Sequence, residues 1–171
     1  MNLNLGAGTD YKEGWVNHDI GNKDIYGNGI KADVIWDLDV YPWPWDDNTF
    51  DEIKAWAIIE HLKDGAKPWE EIKRIAKNGC IIHASVPHYS GFIGYGDPTH
   101  YHRYSYQTGQ IIARMWGFKM LKNRLIFSWG YKFPMLKIFN PIVNIQPEFY
   151  ERCFANIFPS QELEWTFEVV K

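Results

Sequence analysis

Cysteine is nearly absent: Cys80 and Cys153 are the only two in 171 residues, too few for a disulfide framework and not spaced as metal ligands. Both are expected as reduced thiols. No apolar run approaches the ~20 residues that a membrane-crossing helix needs. The N-terminus, "MNLNLGAG", enters a strand-like pattern without the basic and apolar regions of a secretory signal, which leads us to expect a cytoplasmic setting. Internal repeats and low-complexity tracts are also missing. With 46% apolar and 23% charged residues, the composition is that of a globular chain long enough for one core and too short for two.

The net charge of −3 conceals a division. Residues 1–100 carry 9 Lys/Arg against 16 Asp/Glu, whereas residues 101–159 carry 8 against 2. An acidic half joined to a basic, aromatic half predicts one surface for a cation or for hydroxyls and another for something anionic.

Four short strands are read in the first 60 residues. They are "LNLGAG", ending in a Gly-x-Gly turn; "GWVNHDI", ending on Asp19; "ADVIWDL", ending at Asp37 and Leu38; and "FDEIKAWAII". A helix follows in "PWEEIKRIAK", with Pro68 in its first turn, acids early, bases late, and Gly79 just beyond. "CIIHASVP" reads as a fifth strand buried on both faces. A long irregular stretch from His88 to Ser105 is where binding loops tend to lie. Ser105 can cap a helix over "YQTGQIIARMW" that stops at Gly117, "FKMLKNRLIFSW" makes a sixth strand, and "LEWTFEVV" alternates as a closing strand. Residues 129–159 form an aromatic, proline-punctuated insertion with a helix in "PEFYERCFANIF". The alternation predicts an α/β fold.

In an open α/β sheet, ligands sit beyond the carboxyl ends of the strands. Here those ends carry Gly6, Ala7 and Gly8, then Asp19, which suits ribose hydroxyls, and then Asp37, which suits a base amino group. A dinucleotide needs its pyrophosphate at a helix N-terminus, with a third glycine for packing. Only six residues separate Gly8 from Trp15, so no full helix fits there. A ligand with a ribose but no phosphate does not need one. S-adenosylmethionine is such a ligand, and its cationic sulfonium agrees with the acidic first half.

The segments "LNLGAGTDYKEGWVNHDI", "DLDVYPWPWDDNTFDEI", "AIIEHL", "EIKRIAKNGCIIHASVPH" and "GDPTHYHRYS" resemble the successive motifs of small class I S-adenosylmethionine-dependent methyltransferases, of the methyltransferase type 11-like kind. The resemblance spans residues 2 to about 118. It implies a Rossmann-like, mostly parallel sheet of seven strands with an antiparallel last strand, here with a reduced first crossover helix. It also implies one methyltransferase domain over 1–171, with a cofactor half to residue 100 and a substrate-side or lid region beyond. Carried over by position, Asn4, Gly6, Ala7 and Gly8 line the methionine part, Asp19 the ribose, and Asp37 with Leu38 the adenine. Ala55, Trp56 and Ala57 pass near the sulfonium, with His61 on the cofactor side.

Some relatives, among them the ubiquinone-pathway O-methyltransferases, carry a Glu three residues before their Glu-His pair and are thought to hold a divalent metal. Here that position is Ala57 ahead of Glu60 and His61, so no metal is expected.

Methyl transfer asks chiefly for alignment, with a base where a hydroxyl must lose its proton. The candidates for that base are His88, Asp97, His100 and His102. Lys119, Lys122, Arg124, Lys132 and Lys137, interspersed with Phe127, Trp129, Tyr131 and Phe133, point to an anionic acceptor or carrier. A nucleotide-linked sugar, a lipid-linked glycan, nucleic acid and a membrane surface all fit that pattern; the same aromatics also suit a core beneath a lid. The expected function is methyl transfer to an oxygen or nitrogen of a small or glycan-like acceptor. The alternatives are a non-catalytic methyltransferase-like binding module and a nucleotide-cofactor oxidoreductase.

Overall fold

A computed structural model describes residues 1–23, 27–127 and 134–171. Seven strands form one sheet: β1 (Asn2–Leu5), β2 (Val16–Asp19), β3 (Val34–Ile35), β4 (Phe50–Trp56), β5 (Ala76–Pro87), β6 (Phe118–Ile126) and β7 (Glu162–Val169). Their order is β3-β2-β1-β4-β5-β7-β6. All neighbours pair in parallel except β7, which runs antiparallel to both β5 and β6. The expected seven-stranded α/β sheet with its antiparallel last strand is therefore present. The reduced first crossover is present too, since residues 6–15 between β1 and β2 contain turns and irregular backbone but no helix.

Helix α1 (Lys67–Ile75) joins β4 to β5, and α3 (Tyr106–Trp116) joins β5 to β6; a single turn, α2 (Phe92–Gly96), lies between. The spacing of Trp69, Ile72 and Ile75 puts all three on one face of α1, and each is fully buried. The Trp69 ring meets Phe118, Trp165 and Phe167, so truncating it would cost about 3–5 kcal/mol. The sequence extends α1 to Lys77, but the helix ends at Ile75. There the carbonyls of Arg74 and Ile75 accept the N–H groups of Asn48 and Thr49 on the chain approaching β4. Helix α3 starts as expected, with Ser105 and Thr108 in a reciprocal cap, and ends at Gly117 in the left-handed region. It approaches β7 so closely that a Cβ at Gly109 would lie 2.5 Å from the Trp165 indole nitrogen.

The sheet has two unlike faces. Leu3, Leu5, Ile53, Ala55, Ile82, Ala84, Leu163, Trp165 and Phe167 point into the core shared with α1 and α3. The intervening residues are mostly polar and more exposed, and several pair across strands. Glu52 lies 3.4 Å from His83, Lys119 2.9 Å from Glu168, and Lys122 2.6 Å from Glu164. Among the described residues no helix covers this polar face, because the short connections after β1 and β2 supply none. That corrects one expectation: β5 is not buried on both faces throughout, since Ile81 and His83 remain half-exposed while Ile82 and Ala84 are in the core.

The described part of the insertion contains a 3-10 helix (Pro134–Phe139), α4 (Asn140–Val143) and α5 (Pro147–Cys153). The helix read over 147–158 thus stops at Cys153. Asn144 anchors the insertion by exchanging hydrogen bonds with the Leu125 backbone. No helix among the described residues is long and apolar enough to cross a membrane.

Candidate functional site

The ends of β1, β2 and β4 converge on a glycine turn. Gly6 sits at φ +66°, and a Cβ there would lie 2.7 Å from Cγ1 of Ile58, so the residue type is dictated twice. Gly8, at φ +53°, faces open space instead. Its N–H donates to Asp19 Oδ2 at 2.7 Å, and the Ile20 N–H donates to Asp19 Oδ1 at 2.8 Å. The carboxylate is thereby held at the mouth of the turn, and each oxygen keeps room for a second donor. Ala7 is buried and donates its N–H to the His18 carbonyl.

The remaining cofactor-side candidates divide. Asn4 is buried, and its amide donates to the Asp10 carbonyl and to Asn17 Oδ1, so it ties down the turn. Asp37 lies beyond β3, where its carboxylate accepts the Asp39 N–H in a tight turn. Leu38 is buried, and its carbonyl accepts the Trp43 indole N–H. Ala55 belongs to the core, while Trp56 is 40% exposed at the end of β4. Ala57 takes φ +52° and donates its N–H to the Ser85 carbonyl, turning the chain into a 3-10 turn over Ile59–His61.

That turn delivers a cluster. Glu60 is 1% exposed, and neither of its carboxylate oxygens has a hydrogen-bond partner. Burial pushes its carboxyl up to about 8 against the pull of its own backbone N–H, with Glu162 and Asp97 adding to the rise. The His61 and His100 rings meet edge to face at 4.6 Å between centroids. His100 Nδ1 is buried and unpartnered, and its Nε2 lies 3.9 Å from Asp97. Thr99 bridges the remainder: its hydroxyl is 2.6 Å from Asp97 Oδ1 and 2.8 Å from His61 Nδ1. Hydrogen bonds from the Thr99 hydroxyl and N–H hold the Asp97 carboxyl below the usual range. Burial, then the neighbouring His100, lowers His61.

Of the four candidate bases, the structure brings Asp97 and His100 together with His61. His102 stands apart, its Nε2 3.2 Å from the Lys63 carbonyl. His88 is fully buried, 2.8 Å from Ser90 Oγ and 2.9 Å from Glu151 Oε1, and so links β5 to α5. Sequence reasoning left Glu60 out of the site. The one signal for it was its place in the Glu-His pair, because nothing in residue spacing shows that His100 returns to meet it.

Among the described residues, the basic and aromatic candidates are placed differently from one another, with Lys137 exposed on the insertion. Lys119 and Lys122 are spent on cross-strand pairs, Phe127 is in the core, and Arg124 is exposed. Trp129, Tyr131, Lys132 and Phe133 lie outside the described residues.

No protein-family model matches the chain, and no curated protein matches its sequence. Solved structures do match. A SAM dependent methyltransferase from Archaeoglobus fulgidus aligns with a TM-score of 0.66 at 19% identity, over 98% of this chain and 85% of that one. An S-adenosylmethionine dependent methyltransferase from Mesorhizobium loti aligns at 0.62 and 13%, over 98% and 89%. The [4+2]-cyclase SpnF aligns at 0.62 and 16%, over 99% and 75%. A cyclase among such neighbours illustrates that one fold carries different chemistries. In strand order and in these comparisons, the chain has the Rossmann-like fold of S-adenosylmethionine-dependent methyltransferases.

Proposed function

We propose that this protein binds S-adenosylmethionine at the ends of β1, β2 and β4 and transfers its methyl group to an oxygen or nitrogen of a small or glycan-like acceptor. The observation that carries the proposal is the glycine turn held open beside a fixed carboxylate, Gly6 and Gly8 facing Asp19. The fit to the cofactor is chemical. Asp19 can accept from both ribose hydroxyls, and the bare glycine backbone admits the methionine part. No helix follows the turn between β1 and β2, so a pyrophosphate there would lack its usual helix N-terminus, which weighs against a dinucleotide.

S-adenosylmethionine supplies an electrophilic methyl on a positively charged sulfur that leaves as a neutral thioether. What the chain itself must do is hold the acceptor atom in line, about 3–3.5 Å from the methyl carbon. Ile58, against Gly6, joins the glycine turn to the Glu60–His61–His100 cluster, beside which the Asp97 carboxylate, held below the usual range, can take a proton lost by the attacking atom. Trp56 and Tyr101 are exposed aromatics of the kind that stack on sugars or bases, whereas the exposed Tyr95 ring already carries the Arg103 guanidinium at 4.2 Å.

The test is calorimetry with S-adenosylhomocysteine. Wild-type protein should bind it, Asp19→Ala should not, and NAD should be ignored by both. No binding by the wild type at about millimolar ligand would sink the proposal.

A further inference from the structure

Buried polar atoms without partners are rare and call for a cause. Among the described residues seven side-chain atoms are in that state, and three of them, Glu60 Oε1, Glu60 Oε2 and His100 Nδ1, belong to one cluster. Glu60, His61 and His100 each offer a ligand atom within 4.8 Å of the others. We propose that these three residues hold a divalent first-row transition ion, with zinc as the working case.

The partners of His61 support the assignment. The Thr99 hydroxyl has one proton, and the Asp97 carboxylate, itself an acceptor, takes it at 2.6 Å. The Thr99 oxygen is then left to accept from His61 Nδ1–H at 2.8 Å. This relay fixes the tautomer of His61 and leaves its Nε2 lone pair for a metal, which is how outer partners orient a ligating histidine. His100 presents the unpaired Nδ1. Two imidazole nitrogens and one carboxylate suit zinc, iron(II) or cobalt(II) rather than magnesium or calcium, which prefer all-oxygen sites.

Ligand atoms on a tetrahedral ion lie about 3.4 Å apart for bonds of ~2.1 Å. The cluster therefore needs a contraction that side-chain rotation can supply. The third ligand does not come from the stretch before Glu60, where Ala57 stands, but from the loop after β5. The sequence-based expectation of no metal is set aside on that ground. Three protein ligands leave a position open, and an acceptor hydroxyl bound there would ionise more readily.

The inference stands apart from the methyl-transfer reading, and its test needs no cofactor. Tag-free, chelator-stripped protein is titrated with cobalt(II) by visible absorption and then with zinc(II) in competition. Saturation at one ion per chain is expected. His100→Ala and Glu60→Gln should each weaken binding at least 10-fold, and Thr99→Val should do so about 10-fold through the loss of orientation. Circular dichroism on each variant separates lost ligands from lost fold, and Thr99→Val, on an exposed loop, reads the relay without opening the core. No saturable binding at about 1 mM metal, or affinity unchanged in both His100→Ala and Glu60→Gln, overturns the proposal. Calorimetry with S-adenosylhomocysteine on the same samples keeps the two readings separate: metal without cofactor binding sinks only the first, and cofactor without metal only the second.

Discussion

Gly6→Ala probes the glycine turn most directly, because two independent effects act there. A Cβ in the left-handed region costs about 1–2 kcal/mol. Gly6 is at φ +66°, and the new methyl would also press on Ile58 at 2.7 Å. Crowding of that kind adds about 1–3 kcal/mol, for a total of about 2–5 kcal/mol. Gly8 is the internal control, since at φ +53° its Cβ would meet nothing within 4 Å. Gly8→Ala should therefore cost only about 1–2 kcal/mol. Urea unfolding of both variants gives the difference, and melting should fall by about 2–4 °C per kcal/mol in a chain of this size. The crowding component is isolated by a double-mutant cycle with Ile58→Ala, which should recover about 1–3 kcal/mol of the Gly6→Ala loss. Equal costs at Gly6 and Gly8, or no coupling to Ile58, would refute the reasoning.

Two further outcomes follow from buried groups. Burial pushes the Cys80 thiol up to about 12, whereas Cys153 is exposed; a thiol reagent at neutral pH should titrate one cysteine in folded protein and two in urea. Burial alone would raise the Glu71 carboxyl, but hydrogen bonds from Arg74 and the Trp43 N–H outweigh it and hold the group below the usual range. The sign follows from that depression: the stabilisation is complete above the ordinary glutamate value and is lost as pH falls through the lowered one. Arg74 also donates to the carbonyls of Trp43 and Trp45. Arg74→Met should thus cost about 2–3 kcal/mol at neutral pH and flatten the acid limb of a stability–pH curve.

Periodicity made most of the sheet legible, since β1, β2, β4, β5 and β7 lie where alternation and apolar runs put them. What escaped it were places where local bonding overrides pattern. The apolar run to Leu38 shrinks to a two-residue β3 because Asp37 accepts the Asp39 N–H and the Trp36 indole donates to the Val40 carbonyl, which closes a turn. The two-faced character of β5 depended on a missing layer that no property of "CIIHASVP" itself encodes. In the site, Asp19 and the glycines were readable because they are tied to strand ends. The meeting of His61 with His100 was not, for it depends on the path of a loop that has no periodic constraint.

The β1–β2 connection, which has no helix, bears on how long a ligand stays. Where a helix roofs a bound molecule, escape waits on the movement of that roof, and release then often limits turnover. Here the connection beside a molecule seated at the strand ends, residues 6–15, holds no helix. On the proposed methyl-transfer reading, dwell times should accordingly be short, spent product should inhibit weakly, and the bond-making step should set the pace.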